Sequence, residues 1–197
     1  MSVLWVVIII LLLSAAGFVL GKRRAIASAG GNTRDLHSLP NYYGWYVAVL
    51  TFIPAVLVLS LWLIIQPMVI ERQLSKLFTD SQTISEAQKT LVLADVRRLA
   101  AGLDSAVQQG VLTSTDVDQM RTDAGGVRDK LASAGVALGA EVTPQVLIAA
   151  QSYRSMTAAG ALARALIAIA IAIAGFVYAL RLTNKDFRAR NRVETVV

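Results

Sequence analysis

The stretch Leu36-His37-Ser38-Leu39-Pro40-Asn41-Tyr42-Tyr43-Gly44-Trp45-Tyr46 separates two long apolar runs, and its reading decides the fold. Pro40 and Gly44 are residue types that punctuate a chain, so the spacing predicts a turn and not a through-going helix. Tyr42, Tyr43, Trp45 and Tyr46 carry amphipathic rings that favour the headgroup layer of a bilayer, where one edge is wet and the other apolar. Just before it lies Gly21-Lys22-Arg23-Arg24, the densest positive cluster of the first half. Together these features predict a membrane-surface elbow joining two spans. A buried aromatic cluster in a soluble domain would not need such flanks.

Working outward, Val3 to Leu20 is almost wholly apolar, with Ser14 and Gly17 as its interruptions. As a helix it rises about 27 Å, enough to cross a hydrocarbon core. A signal peptide would carry its basic residues ahead of the apolar run, whereas Lys22, Arg23 and Arg24 follow it. The positive-inside rule then places this basic cluster in the cytoplasm and the N-terminus outside. The second apolar block, Trp45 to Ile70, contains Pro54 and ends near Gln66-Pro67. The simplest reading is a bent span with a polar residue at the interface.

Between residues 71 and 157 the material changes. Nine Lys/Arg face ten Asp/Glu, and no apolar run is long enough to span. Val92, Val96, Leu99, Leu103 and Ala106 recur at helical spacing and predict an amphipathic helix that starts near Thr83 and ends at Gly110. Thr113-Ser114-Thr115-Asp116 offers N-caps for a second helix. Gly125-Gly126 weakens that helix, and Gly135 and Gly139 bracket a loop. Thr143-Pro144 is a cap followed by proline at the first helical position.

The helix starting at Pro144 can continue as one rod into the third apolar block, Ala161 to Leu182. Its Ala/Ile alternation imitates a strand, but its length excludes one. Ala168, Ala172, Gly175 and Ala179 allow close helix approach. Arg164 stands near the outer end, where it can snorkel to the surface. A second basic flank follows, with Arg181, Lys185, Arg188, Arg190 and Arg192. Three spans place both basic flanks inside, so the net charge of +6 reads as a topology signal and not as a nucleic-acid footprint.

The predicted fold is therefore an all-α integral membrane protein with three transmembrane helices, N-terminus out and C-terminus in. An extracytoplasmic helical domain lies between the second and third spans. Residues 1–21, 45–70 and 158–182 form the spans, 22–44 the elbow, 71–157 the outer domain and 183–197 the basic tail. The chain has no cysteine and a single histidine, His37. That excludes disulfides, thiol catalysis and multi-His metal sites. No phosphate-binding glycine loop, nucleophile elbow or zinc-protease motif is present. Asp116, Asp118 and Asp123 lack the central glycine and closing glutamate of a calcium loop. The expectation is no catalytic residue, no metal and no cofactor, with anionic lipid as a partner of the basic flanks.

Leu36, His37, Ser38, Leu39, Pro40, Asn41, Tyr42, Tyr43 and Gly44 resemble the opening signature of the extended N-terminal region of PstC-type phosphate ABC-transporter permeases from Gram-negative bacteria. Trp62 to Glu71 and Phe187 to Glu194 are similar to further patches of that family. In the family a multi-span permease core follows the last patch. The resemblance implies an accessory membrane domain, or the front part, of a phosphate importer in the inner membrane. It further implies as partners a permease core or second permease subunit, a separate ATPase subunit and a periplasmic phosphate-binding protein. The other reading the residues allow is a membrane-anchored sensor or scaffold with a periplasmic helical domain.

Overall fold

The computed structural model of the chain describes residues 2–77, 86–119, 132, 143–184, 187 and 189–196. Most of these are helical, and none is in a strand. The main elements are α1 (Val3–Ser28), a 3-10 turn (Thr33–Asp35), α2 (Pro40–Leu77), α3 (Glu86–Gln108), α4 (Ser114–Gln119), α5 (Pro144–Leu182) and α6 (Ala189–Val196). Among the described residues, α1, α2 and α5 are the three helices long and apolar enough to cross a membrane. The rod predicted from Pro144 through the third apolar block is α5, 39 residues long.

The turn between the first two spans lies earlier than expected. The chain reverses at Gly30 and Gly31, which take φ of 62° and 87°, a left-handed conformation that costs glycine little. Pro40 then opens α2, and Gly44 lies inside it. Proline suits the first turn of a helix because its missing N–H would have no partner there. The helix boundaries correspondingly widen: α1 continues past the basic cluster to Ser28, and α2 runs through both Pro54 and Pro67 to Leu77.

The chain divides into two packed units, residues 1–64 with 161–197 and residues 65–160. In the first unit, Val6 and Ile10 of α1, Ala55 and Leu59 of α2, and Ala165, Ala168 and Ala172 of α5 form a buried cluster. Leu4, Trp5, Leu12, Leu57, Leu61 and Leu166 are exposed. Small residues inside and large apolar residues outside suit a lipid solvent, where helices associate by close packing and not by hiding oil from water.

Four close approaches hold this packing. Ser14 Oγ donates to the Ala48 carbonyl at 3.0 Å. An added Cβ on Gly21 would lie 2.7 Å from a Val47 methyl and 2.9 Å from the Tyr43 carbonyl oxygen, and one on Gly44 would lie 2.7 Å from the Phe18 oxygen. The fourth approach concerns Pro54. Its lack of an N–H leaves the Leu50 carbonyl without its helical donor. The backbone of Gly175 faces that oxygen so closely that any Cβ would overlap it. A weak Cα–H···O contact is the type of partner such a carbonyl can take inside a membrane.

The second unit is a small core of different character. Val96, Leu99, Leu103 and Ala106 of α3 are buried with Ile70 and Leu74 of α2 and Leu147 and Ala150 of α5. The stripe predicted for this helix is thus its packed face, with Val92 half-buried at its start. Gly110, with φ of 74°, ends α3 as expected. The N–H of Val111 returns to the Ala106 carbonyl at 3.0 Å. Thr113 caps α4 reciprocally: its Oγ1 accepts from the Asp116 N–H at 3.1 Å, and Asp116 Oδ2 accepts from the Thr113 N–H at 3.0 Å. Thr143 Oγ1 accepts from Val146 at the start of α5. Gly125, Gly126, Gly135, Gly139 and the predicted start near Thr83 lie outside the described residues.

Arg154 pairs with Asp104 at 2.7 Å, and Arg97 pairs with Glu71. These pairs are solvent-accessible and worth about 0–1 kcal/mol each. The apolar core should dominate. Leu103→Ala is expected to cost about 2–5 kcal/mol. The readout is amide hydrogen exchange along α3, where protection should fall at least roughly tenfold.

Candidate functional site

The two segments that carry the family resemblance most specifically, around residues 36–44 and 187–194, meet in the first unit. Helical spacing on α1 puts Gly17, Gly21 and Ala25 on one buried face. Lys22 is half-buried, while Arg23 and Arg24 are exposed. Ala25 packs in one cluster with Tyr43 of α2 and Ala189 of α6, lined by Leu36, Tyr42 and Phe187. Tyr43 is fully buried, the largest such side chain in the chain's described part.

The Phe187 ring links this cluster to its neighbour. Its centroid is 6.4 Å from that of Tyr43 and 4.7 Å from that of Tyr46. Tyr46, Val47 and Ala179 are buried together there, with Leu50, Phe176, Leu180 and Val193 alongside. Thr183, just past α5, is buried with its Oγ1 donating to the Ala179 carbonyl at 2.9 Å. Phe187 is thereby held close to the end of α5, its N–H bonded to the Asn184 carbonyl at 3.2 Å. On the opposite side of α2, Trp45 remains 56% exposed and meets Phe18 edge-on at 5.3 Å. That split, one ring outward and the next inward, is what an interfacial aromatic segment requires.

The structure does not gather every residue singled out from the sequence. Leu36 and Tyr42 line the cluster, Tyr43 fills it, and Gly44 is buried against Phe18. Pro40 and Ser38 are half-buried, whereas His37 and Leu39 are exposed. Arg190 and Arg192 belong to the α6 backbone, and Arg188 lies outside the described residues. Two contributions escaped the sequence reading. One is the Gly17-x-x-x-Gly21-x-x-x-Ala25 spacing, visible in the sequence as a small-residue ladder. The other is the pairing of Phe187 with Tyr43 and Tyr46, for which no local signal exists.

Among the described residues, no group of three or more His, Cys, Asp or Glu able to hold a metal occurs. Among the aspartates of the rejected calcium reading, Asp116 serves as the α4 cap. What the site can do is positional. It ties the end of α1, the start of α2 and the segment after α5 into one aromatic knot beside a basic cluster.

Three membrane-length helices, lipid-suited packing and this knot define a helical membrane protein. The model of the family described as phosphate ATP-binding cassette transporter matches residues 7–177. The chain therefore belongs to that family, in agreement with the resemblance carried by residues 36–44. No curated protein and no solved structure matches it significantly.

Proposed function

We propose that the chain is the accessory N-terminal membrane domain of the permease subunit of a binding-protein-dependent phosphate importer in the bacterial inner membrane. It supports transport without forming the phosphate path. ATP hydrolysis belongs to a separate subunit, and this chain is not an enzyme. The observation that carries this reading is the knot. The family-signature segment around Tyr43 packs against Phe187 and Ala189, so the route from the third span toward a permease core is anchored on the first two helices. The family match supplies the phosphate transporter context.

In this proposal the knot and both basic flanks face the cytoplasm, and α3 and α4 lie outside, near the docking site of the periplasmic phosphate-binding protein. The absence of native cysteine makes single-cysteine variants clean reporters of orientation. Ser28→Cys and Asn184→Cys should be shielded from a membrane-impermeant thiol reagent in intact cells. Thr143→Cys should react. Labelling of Ser28→Cys from outside would refute the orientation.

The functional test is purification of the tagged chain from its native membrane in mild detergent. Permease-core sequence, in the same or a second chain, and the ATPase subunit should accompany it. Recovery with a signalling partner or with itself alone would favour a sensor or scaffold. No feature of the site favours that second reading.

A further inference from the structure

Each inner proline of α2 is matched by a glycine of α5. Pro54 frees the Leu50 carbonyl, and the backbone of Gly175 closes on that oxygen. Pro67 likewise removes the helical donor of the Leu63 carbonyl, and it disfavours helical backbone at Gln66. At this second level α5 presents Gly160, and the group packed against it is the side-chain amide of Gln66. The first pairing is backbone on backbone and leaves no room for adjustment. The second is filled by a side chain that can move.

The Gln66 amide also has a specific acceptor. Its Nε2 donates to the Thr157 carbonyl at 3.5 Å, a long hydrogen bond. The regular helical donor to that carbonyl is the N–H of Ala161. A carbonyl oxygen has two lone pairs, so Gln66 is placed as a second donor where glycine at 160 weakens the helix. The Thr157 hydroxyl points the same way. Its Oγ1 is buried without a hydrogen-bond partner among the described residues. A threonine hydroxyl that bonds the carbonyl four residues back, here that of Tyr153, bends its helix. A bend therefore satisfies a group that the unbroken form of α5 leaves unpaired. The two packed units also part at residues 64/65 and 160/161, beside this same contact.

We propose that α2 and α5 share a bend point at Pro67 and Gly160, with Gln66 as its switch. When the Ala161 N–H leaves the Thr157 carbonyl, the Gln66 amide takes that carbonyl over. Gln66 is then a positioning residue for the bent form and not a clasp for the unbroken one. The inference does not depend on the transport reading.

The test is amide hydrogen exchange on the protein purified with whatever subunits accompany it and held in lipid nanodiscs. In wild type, exchange along α5 should peak at residues 160–162. Gln66→Met keeps the side-chain length and the helix preference but removes the donor. It should slow exchange at Ala161 about threefold or more, the factor that one hydrogen bond of ordinary net strength supplies. A clasp would give the opposite sign, with faster exchange once the donor is lost. Thr157→Val removes the hydroxyl that favours the bend and should slow exchange as well. Unchanged or faster exchange in Gln66→Met would overturn the switch. Uniform protection from residue 150 to 175 in wild type would overturn the bend point, as would unchanged or faster exchange in Thr157→Val. The wild-type profile and Thr157→Val keep the test decisive even where Gln66→Met fails to fold.

Discussion

Gly175→Leu should abolish the native packing of α5 on α2. Even the first carbon of the new side chain would overlap the Leu50 carbonyl oxygen. That oxygen belongs to the backbone of a helix and cannot move aside as a flexible side chain could. Overpacking a well-filled site costs about 1–3 kcal/mol, occasionally more, and a backbone obstacle puts this variant at the upper end. Leu50 is also the residue whose helical hydrogen bond Pro54 removes, so separating the helices would leave its carbonyl facing lipid unpaired. Ala174→Leu is the matched control: it adds nearly as much bulk one residue away, at an exposed position. The measurement is the folded, monodisperse fraction after extraction, with the thermal midpoint. Gly175→Leu should lose most of the folded fraction, and Ala174→Leu should retain it.

The second large effect is expected from Tyr43→Ala. Truncating a fully buried ring in a packed cluster costs about 3–5 kcal/mol. Here it removes the side chain that joins Ala25, Ala189 and Phe187. The three spans should persist, because their contacts through Val6, Ile10, Ala55, Ala168 and Ala172 lie in a separate cluster. The loss should instead appear as undocking of α6, read as faster tryptic cleavage at Arg190 and Arg192. Phe187→Leu, which keeps apolar volume but removes the ring, should be intermediate. Leu39→Ala should cleave at the wild-type rate, since Leu39 is exposed and outside the cluster.

These residues also show what a sequence can carry. The three membrane helices were legible because an apolar run of that length has few other uses. The α3 stripe and its stop at Gly110 were legible because periodicity and a left-handed glycine are local properties. The turn was misplaced because proline and glycine each have two uses. Pro40 starts a helix instead of breaking one, and Gly44 provides a close approach to Phe18 instead of a bend. Gly17 was read as an interruption for the same reason, although its spacing to Gly21 and Ala25 is that of a helix–helix contact. The knot could not be seen at all. Tyr43 and Phe187 are neighbours only because α1, α2 and α5 pack as they do, and no local pattern encodes that.

The most direct test of the account is the concentration dependence of phosphate uptake in cells whose importer carries Tyr43→Ala. A positional role predicts a reduced maximal rate, because the route to the permease core is no longer anchored. The half-saturating phosphate concentration should be unchanged, because the proposed role keeps these residues out of the phosphate path. Wild-type uptake at every concentration would contradict a role in the importer. A shifted half-saturating concentration at unchanged maximal rate would contradict the claim that this domain stands apart from the phosphate path.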